Sequence, residues 1–176
     1  MKKEIFPITL VLILALSRLI PHPPNFTPII AVAIMSAYFF KNVYFSLAVL
    51  LISMFISDIF IGFYNNMFLI YFTISFIALV FFQFAKNLNS KNLLVFGLVG
   101  SVIFFIISNF GVWLFGSLYE KNLNGLIYCY TLAIPFFVNT LVSTILYSYL
   151  GYYANRLMAK KLLNTSWNEK IKNITW

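Results

Sequence analysis

Charged side chains are scarce in this sequence. Of its 176 residues only 9% are Asp, Glu, Lys or Arg, whereas 62% are hydrophobic. Soluble domains carry about 25% charged residues, which their water-facing surface requires. So little charge excludes an ordinary soluble domain and predicts an integral membrane protein.

Histidine, cysteine and acidic residues are rarer still: His22, Cys129 and four acids in all. One cysteine excludes an internal disulfide and a cysteine metal cluster, and one histidine excludes a zinc site built from several. The sequence also lacks a Gly-x-Ser-x-Gly elbow, a P-loop and a His-Glu-x-x-His pair. We therefore expect no metal, no cofactor and no enzymatic activity.

Long apolar runs are what the sequence does contain. Backbone polar groups in a membrane core must be satisfied internally, so runs of about 20 apolar residues favour helices over barrel strands. We predict an all-α fold, a membrane bundle of six transmembrane helices in residues 1–153. The predicted spans are residues 6–20, 29–40, 43–62, 67–85, 93–117 and 125–153.

The ends of the chain are basic. Lys2, Lys3 and the apolar run after them would also suit a signal peptide, but apolar character resumes at Leu19, which favours a retained helix. Residues 154–176 are predicted to form a basic amphipathic cytoplasmic tail on the inner leaflet.

The distribution of lysine and arginine predicts the orientation. With the N-terminus inside, ten of these residues fall in inner segments and only Arg18 and Lys121 fall outside. Cytoplasmic loops carry the excess of positive charge. We expect a multi-pass protein of the bacterial inner membrane with both termini cytoplasmic, whose positive charges serve topology rather than nucleic-acid binding.

Residues 18–28 stand out because they hold four of the six prolines and the one histidine. Proline removes a backbone donor and favours extended geometry in the residue before it. We call residues 20–28 the proline segment. It is either a rigid turn or a wall of a binding site. The second predicted helix, 12 residues long, reaches roughly 18 Å against a core of about 30 Å, so its Pro28 end should lie inside protein.

The unusual polar residues fall on the predicted outer side. A charge at membrane depth costs about 2.5–3.5 kcal/mol unless it is paired or hydrated. Arg18 and Asp58 should therefore face the interior, where they either neutralise each other or meet a polar ligand. We predict that six residues converge on one outer cavity covered by the proline segment: Arg18, His22, Asn25, Asp58, Asn109 and Trp113. Tyr119 and Tyr128, with Trp113, would suit stacking on a flat substrate ring.

Over nearly its whole length the layout resembles the substrate-binding S components of energy-coupling factor (ECF) transporters. The likeness lies in the six helices, the proline-rich loop after the first, the short second helix opened by Thr27-Pro28-Ile29-Ile30, and the third helix ending in Ser57-Asp58-Ile59-Phe60-Ile61-Gly62. Residues 18–28 and Ser108-Asn109-Phe110-Gly111-Val112-Trp113 also resemble an uncharacterised family of small bacterial membrane proteins. The first resemblance implies capture of a small nutrient, such as a vitamin or its precursor, for a transmembrane coupling protein and its ATPases.

S components dock on the coupling protein through an alanine pair in the first helix. Here that helix has only Ala15, and the pair Ala33 and Ala37 falls in the second. The Gly-Pro that often follows the second helix is replaced by Lys41-Asn42. Small residues four apart let helices approach closely. Ala33 and Ala37 are therefore either partner-docking residues or packing residues inside the bundle.

Two functions fit these patterns. The first is a substrate-capture subunit that works with a separate energising partner, because the chain has no nucleotide-binding motif and no acid-rich proton path. The second is a structural or assembly subunit of the envelope that binds no small molecule. A deep outer pocket would favour capture, and a filled bundle with an exposed apolar patch would favour assembly.

Overall fold

The structure, a computed structural model, describes the backbone of residues 2–84 and 88–172. Side chains are described for residues 5–84 and 88–161. The described residues form α-helices and no strand, which confirms the all-α prediction. A 3-10 turn, Ser17–Leu19, follows the first helix. The helices are α1 (Lys2–Leu16), α2 (Ile29–Phe39), α3 (Val43–Ile61), α4 (Met67–Phe84), α5 (Leu93–Phe115) and α6 (Leu123–Lys172).

Four helices, α3 to α6, are long and apolar enough to cross a membrane. They indicate a membrane protein, as predicted. The two others are shorter apolar helices over residues 5–19 and 29–39. Helix α6 continues past residue 153 without a break, so the backbone has no boundary where the tail was predicted to begin. Side chains from residue 162 on lie outside the described part, as do Ala85, the predicted end of the fourth span, and Lys86.

Helix α2 is the centre of the bundle. It contacts each of the other five helices, and every side chain from Ile30 to Ala37 is buried. A helix that is apolar on all sides is stable only when it is surrounded. Glycines on its neighbours allow the close approach: a Cβ at Gly100 of α5 would lie 2.9 Å from Ile30, and one at Gly151 of α6 would lie 3.1 Å from Met35.

The burial of α2 corrects one prediction. Ala33 and Ala37 are 0% and 1% exposed, so their side chains cannot contact another protein. The partner-docking role assigned to this pair is therefore wrong. Their small size allows close helix packing inside the bundle, which is the second of the two roles considered for this pair. Pro28, which precedes α2, is also buried, as its place before a short helix predicted.

Candidate functional site

A buried ion pair lies at one end of the bundle. Arg18 follows α1 in the 3-10 turn, and Asp58 lies one turn before α3 ends. Arg18 Nη1 is 2.7 Å from Asp58 Oδ1 and donates to Ser57 Oγ at 2.7 Å. The Tyr71 hydroxyl of α4 donates to Asp58 Oδ2 at 2.8 Å. The side chains of Arg18 and Asp58 are only 6% and 0% exposed, so the two charges neutralise each other out of contact with lipid.

This pair joins three parts of the fold. The turn after α1, the end of α3 and the start of α4 are linked through one carboxylate and one guanidinium. A buried pair offsets its desolvation cost only when further hydrogen bonds satisfy the remaining groups. Ser57 and Tyr71 supply two such bonds, whereas Arg18 Nε and Asp58 Oδ1 have no hydrogen-bond partner.

A cavity of about 250 Å³ lies beside the pair. Its wall combines groups that can form hydrogen bonds with aliphatic and aromatic surface, which is the composition typical of small-molecule sites. Three residues predicted from the sequence, Arg18, His22 and Asn25, line it. The remaining lining residues are Thr27, Ile29, Ile30, Tyr64, Ile70, Phe104 and Thr140.

The proline segment forms one wall of this cavity and is bonded to the middle of α6. Asn25 turns the backbone with a φ of 60°, a left-handed conformation that asparagine tolerates. Beyond it, three polar side chains of α6 hold the backbone carbonyls of the segment. Asn139 donates to Pro24 O at 2.9 Å, and the hydroxyls of Thr140 and Ser143 lie 3.4 Å from Asn25 O and 3.1 Å from Thr27 O. Each hydroxyl shares its one proton between that carbonyl and a carbonyl of α6 itself at 3.0 Å.

Only the last part of the segment enters the bundle: Pro28 is buried and Phe26 and Thr27 are half-buried, whereas residues 20–25 are exposed. Thr140 lies roughly 25 Å along the helix axis from Leu123, at a rise of about 1.5 Å per residue. Non-helical backbone between membrane helices persists only where its polar groups are satisfied by protein or water. Proline has no N–H to satisfy, and α6 satisfies the carbonyls. The segment is therefore a built wall of the cavity rather than a turn outside the helices.

Tyr64, in the turn between α3 and α4, brings a hydroxyl to the same cavity. Burial raises the pKa of Tyr64, and the Asp58 carboxylate raises it further, while Arg18 lowers it. At neutral pH the phenol is therefore protonated and can both donate and accept a hydrogen bond.

The other predicted site residues lie elsewhere. Asn109 donates to Phe105 O of its own helix and borders a void of only about 10 Å³ next to the cavity. Trp113 donates to Glu120 O and is contacted by Lys121, whose Nζ also lies near Gly116 O. Neither Asn109 nor Trp113 lines the cavity, so the prediction that both converge there with Arg18 is wrong.

Tyr119 and Tyr128 line a separate open cleft of about 360 Å³ where α5 and α6 begin to diverge. Their rings meet edge to face, with centroids 6.2 Å apart. The residues that sequence reasoning placed in one site therefore divide between an inner cavity and an outer cleft. The physical reason is that the turn at residues 116–122 folds back on α5 through the Trp113–Glu120 bond instead of over α2.

Several residues of the inner site were not assigned from the sequence: Thr27, Tyr64, Tyr71, Asn139, Thr140 and Ser143. A signal for the last three was present, because polar side chains at positions 139, 140 and 143 share one face of an apolar helix. In the described part of the chain no group of three or more His, Cys, Asp or Glu residues could hold a metal ion. The polar groups of the cavity can form hydrogen bonds.

Fold and site together define a small all-helical membrane protein with a cavity of mixed polar and apolar lining at one end of its bundle. The chain belongs to a family of unknown function, DUF6580, whose model matches residues 1–166. No curated protein and no solved structure matches it. Membership in this family assigns no activity, so a function has to be argued from the cavity.

Proposed function

We propose that the protein is a membrane substrate-capture subunit for uptake of a small nutrient, of the vitamin or vitamin-precursor class, that works with a separate energising partner. The observation that carries this proposal is the cavity under the proline segment. Its wall is held in place by bonds to α6 on one side and by the Arg18–Asp58 pair on another. A preformed wall lowers the entropy that binding would otherwise cost.

The size of the cavity sets the size of the ligand. About 250 Å³ lies just below the roughly 300–1,000 Å³ of drug-sized sites. At about 30 Å³ per water it corresponds to roughly eight water molecules. We therefore propose a ligand of about one ring, with an apolar face against Ile29, Ile70 and Phe104 and polar groups near Tyr64 and Thr140.

The proposed architecture is that of an S component, with α1 and α2 as the two further membrane helices of a six-helix protein in the bacterial inner membrane. A transmembrane coupling protein with ATPases would supply the energy. The absence of a nucleotide-binding motif in the sequence supports such a partner.

The proposed topology, with both termini cytoplasmic, predicts the outcome of reporter fusions. Fusions after Lys41, Asn66, Lys91 and Asn124 should report inside, outside, inside and outside in turn, because lysine and arginine concentrate in the inner segments. Paired alkaline phosphatase and fluorescent-protein reporters measure this. A cytoplasmic signal from the Asn66 fusion would contradict the six-helix topology.

The capture function predicts that a nutrient stabilises the purified protein. A ligand at 100 times its dissociation constant adds about 2.7 kcal/mol to the free energy of unfolding. We would identify small molecules that co-purify in detergent by mass spectrometry and screen vitamins and their precursors for thermal stabilisation. Ile70→Trp, which fills the cavity, should abolish the shift, whereas Leu79→Trp on the exposed side of the same helix should leave it unchanged.

One observation favours the second candidate, an assembly subunit of the envelope. Large apolar side chains are exposed where α5 ends and α6 begins, notably Phe115, Leu118 and Leu123 at 69%, 77% and 70%. Contiguous apolar exposure marks a surface for lipid or for another protein. The same purification distinguishes the two functions. Stable co-purification of an envelope protein, together with no thermal shift from any nutrient, would establish assembly and reject capture.

A further inference from the structure

The guanidinium of Arg18 has donors that the protein does not use. Its ion pair with Asp58 and its hydrogen bonds to Ser57 and Met54 all run from Nη1. Nε is buried and has no hydrogen-bond partner, although Arg18 lines the cavity. A buried donor without an acceptor costs about 1–3 kcal/mol, and more when it belongs to a charged group. Nε itself is closed off from the cavity, so the Arg18 side chain has to turn before an oxygen of an occupant can remove that cost.

The charge of the same wall constrains the occupant. Asp58 is fully buried, is held by Arg18 and Tyr71, and already balances the Arg18 charge. An anionic ligand would place a second negative charge beside one buried guanidinium, and like charges that share a site are disfavoured. The other two ionisable lining groups are Tyr64 and His22. Tyr64 is a neutral phenol, and His22 lies exposed with Nδ1 2.9 Å from Pro23 O.

We propose that the cavity selects an uncharged small molecule that presents a carbonyl oxygen, as in an amide, lactam or ureide, to the Arg18 wall, and rejects the corresponding carboxylate. This inference rests on the proposed function, because it names the chemical class of the captured substrate. The oxygen accepts from the guanidinium after a small side-chain adjustment, of the kind that commonly accompanies binding. A neutral acceptor adds a hydrogen bond to a charged group without disturbing the Arg18–Asp58 pair.

Ligand pairs that differ only in charge test the proposal. The two pairs are benzamide with benzoate and nicotinamide with nicotinate. Within each pair the amide and the acid have nearly the same shape, and the acid is ionised at pH 7.5. We expect each amide to bind the purified protein at least about tenfold more tightly than its acid, measured by titration calorimetry and thermal shift. Tighter binding of the acids would overturn the proposal and leave the capture function standing.

The presence of only two arginines allows a direct readout at Arg18. With ¹⁵N-labelled arginine, the Nε–H groups of Arg18 and Arg156 give two signals, and Arg156→Lys assigns them. An amide should shift the Arg18 signal and leave that of Arg156 in place. Amide binding with no change at Arg18 would overturn the proposal.

If no probe pair binds but a nutrient from the vitamin screen does, the charge of that nutrient decides: a neutral carbonyl compound supports the proposal and an anion overturns it. If no probe and no nutrient binds, capture and this inference fail together.

A charge change in the protein gives an independent test. Asp58→Asn leaves Arg18 uncompensated and should reverse the preference in favour of the acids. Tyr71→Phe removes a hydrogen bond from Asp58 without changing charge, and should keep the preference for amides. Retained amide preference in a folded Asp58→Asn protein would overturn the charge argument. If that variant does not fold, the wild-type pairs and the Arg18 signal decide the question.

Discussion

Replacing Asp58 by alanine is expected to lower the free energy of unfolding by about 3–5 kcal/mol. The substitution leaves the Arg18 guanidinium buried and without its counter-charge, and frees the Tyr71 hydroxyl that donates to the carboxylate. Removal of one partner of a buried pair is costly because the other keeps its desolvation penalty. Thermal unfolding in detergent micelles, followed by tryptophan fluorescence, measures the loss.

Removing both charges should restore most of this stability. In Arg18→Met/Asp58→Leu two apolar side chains of similar volume replace the pair, a change that is often neutral or stabilising. Glu120→Ala is the matched control, because Glu120 is exposed and its carboxylate accepts from Asn122 in the same turn, while its bond to Trp113 uses the backbone carbonyl that alanine keeps. Surface changes usually stay within about 0.5 kcal/mol. A loss below about 1 kcal/mol in Asp58→Ala would show that the pair is hydrated rather than buried. The double variant should fold and yet lose the ligand, which separates stability from binding.

Detaching the proline segment from α6 is expected to weaken ligand binding by about tenfold or more. Asn139→Ala and Ser143→Ala, combined, remove the bonds to Pro24 O and Thr27 O. Each bond is worth about 0.5–1.5 kcal/mol, and both carbonyls lose their α6 partners. Every 1.4 kcal/mol corresponds to about tenfold in affinity. Calorimetric titration with the nutrient found in the vitamin screen measures the change.

The two substitutions isolate the position of the segment, because Asn139 and Ser143 do not line the cavity themselves. Thr131→Val on the same helix is the control: its hydroxyl bonds only to Ile127 O, so affinity should not change. Unchanged affinity in Asn139→Ala/Ser143→Ala would mean that the segment is positioned without these two bonds, by its prolines and Thr140. It would then be a rigid turn, the first of the two readings that the sequence leaves open.

The helical course of the chain could be predicted closely from the sequence. The predicted starts at residues 29, 43, 67 and 93 agree with those of α2 to α5. Asn42 caps α3 by accepting from Phe45 N at 3.1 Å, a local interaction that sequence carries directly. Helix α6 begins at Leu123 and passes residue 153, so the predicted span and the amphipathic tail after it belong to one continuous helix.

The candidate site was predictable only in part. The positions of Arg18 and Asp58 could be predicted because both side chains are charged. Arg18 and Asp58 had to leave the lipid wherever the helices went, so their cost at membrane depth was enough to bring both to the interior. Asn109 and Trp113 carry no such cost. Asn109 can satisfy its side chain on its own helix, and Trp113 bonds the adjacent turn, so nothing forced either into the cavity.

Composition and hydropathy established the membrane class, the all-helical fold and the unusual nature of residues 18–28, because these depend on properties that each stretch carries alone. Tertiary contacts decided what those stretches build. Ala33 and Ala37 turned inward because α2 is surrounded by five helices. The proline segment became a cavity wall because α6 places Asn139, Thr140 and Ser143 opposite its carbonyls, more than a hundred residues away along the chain. Such a pairing depends on how two helices pack, and no local pattern contains it.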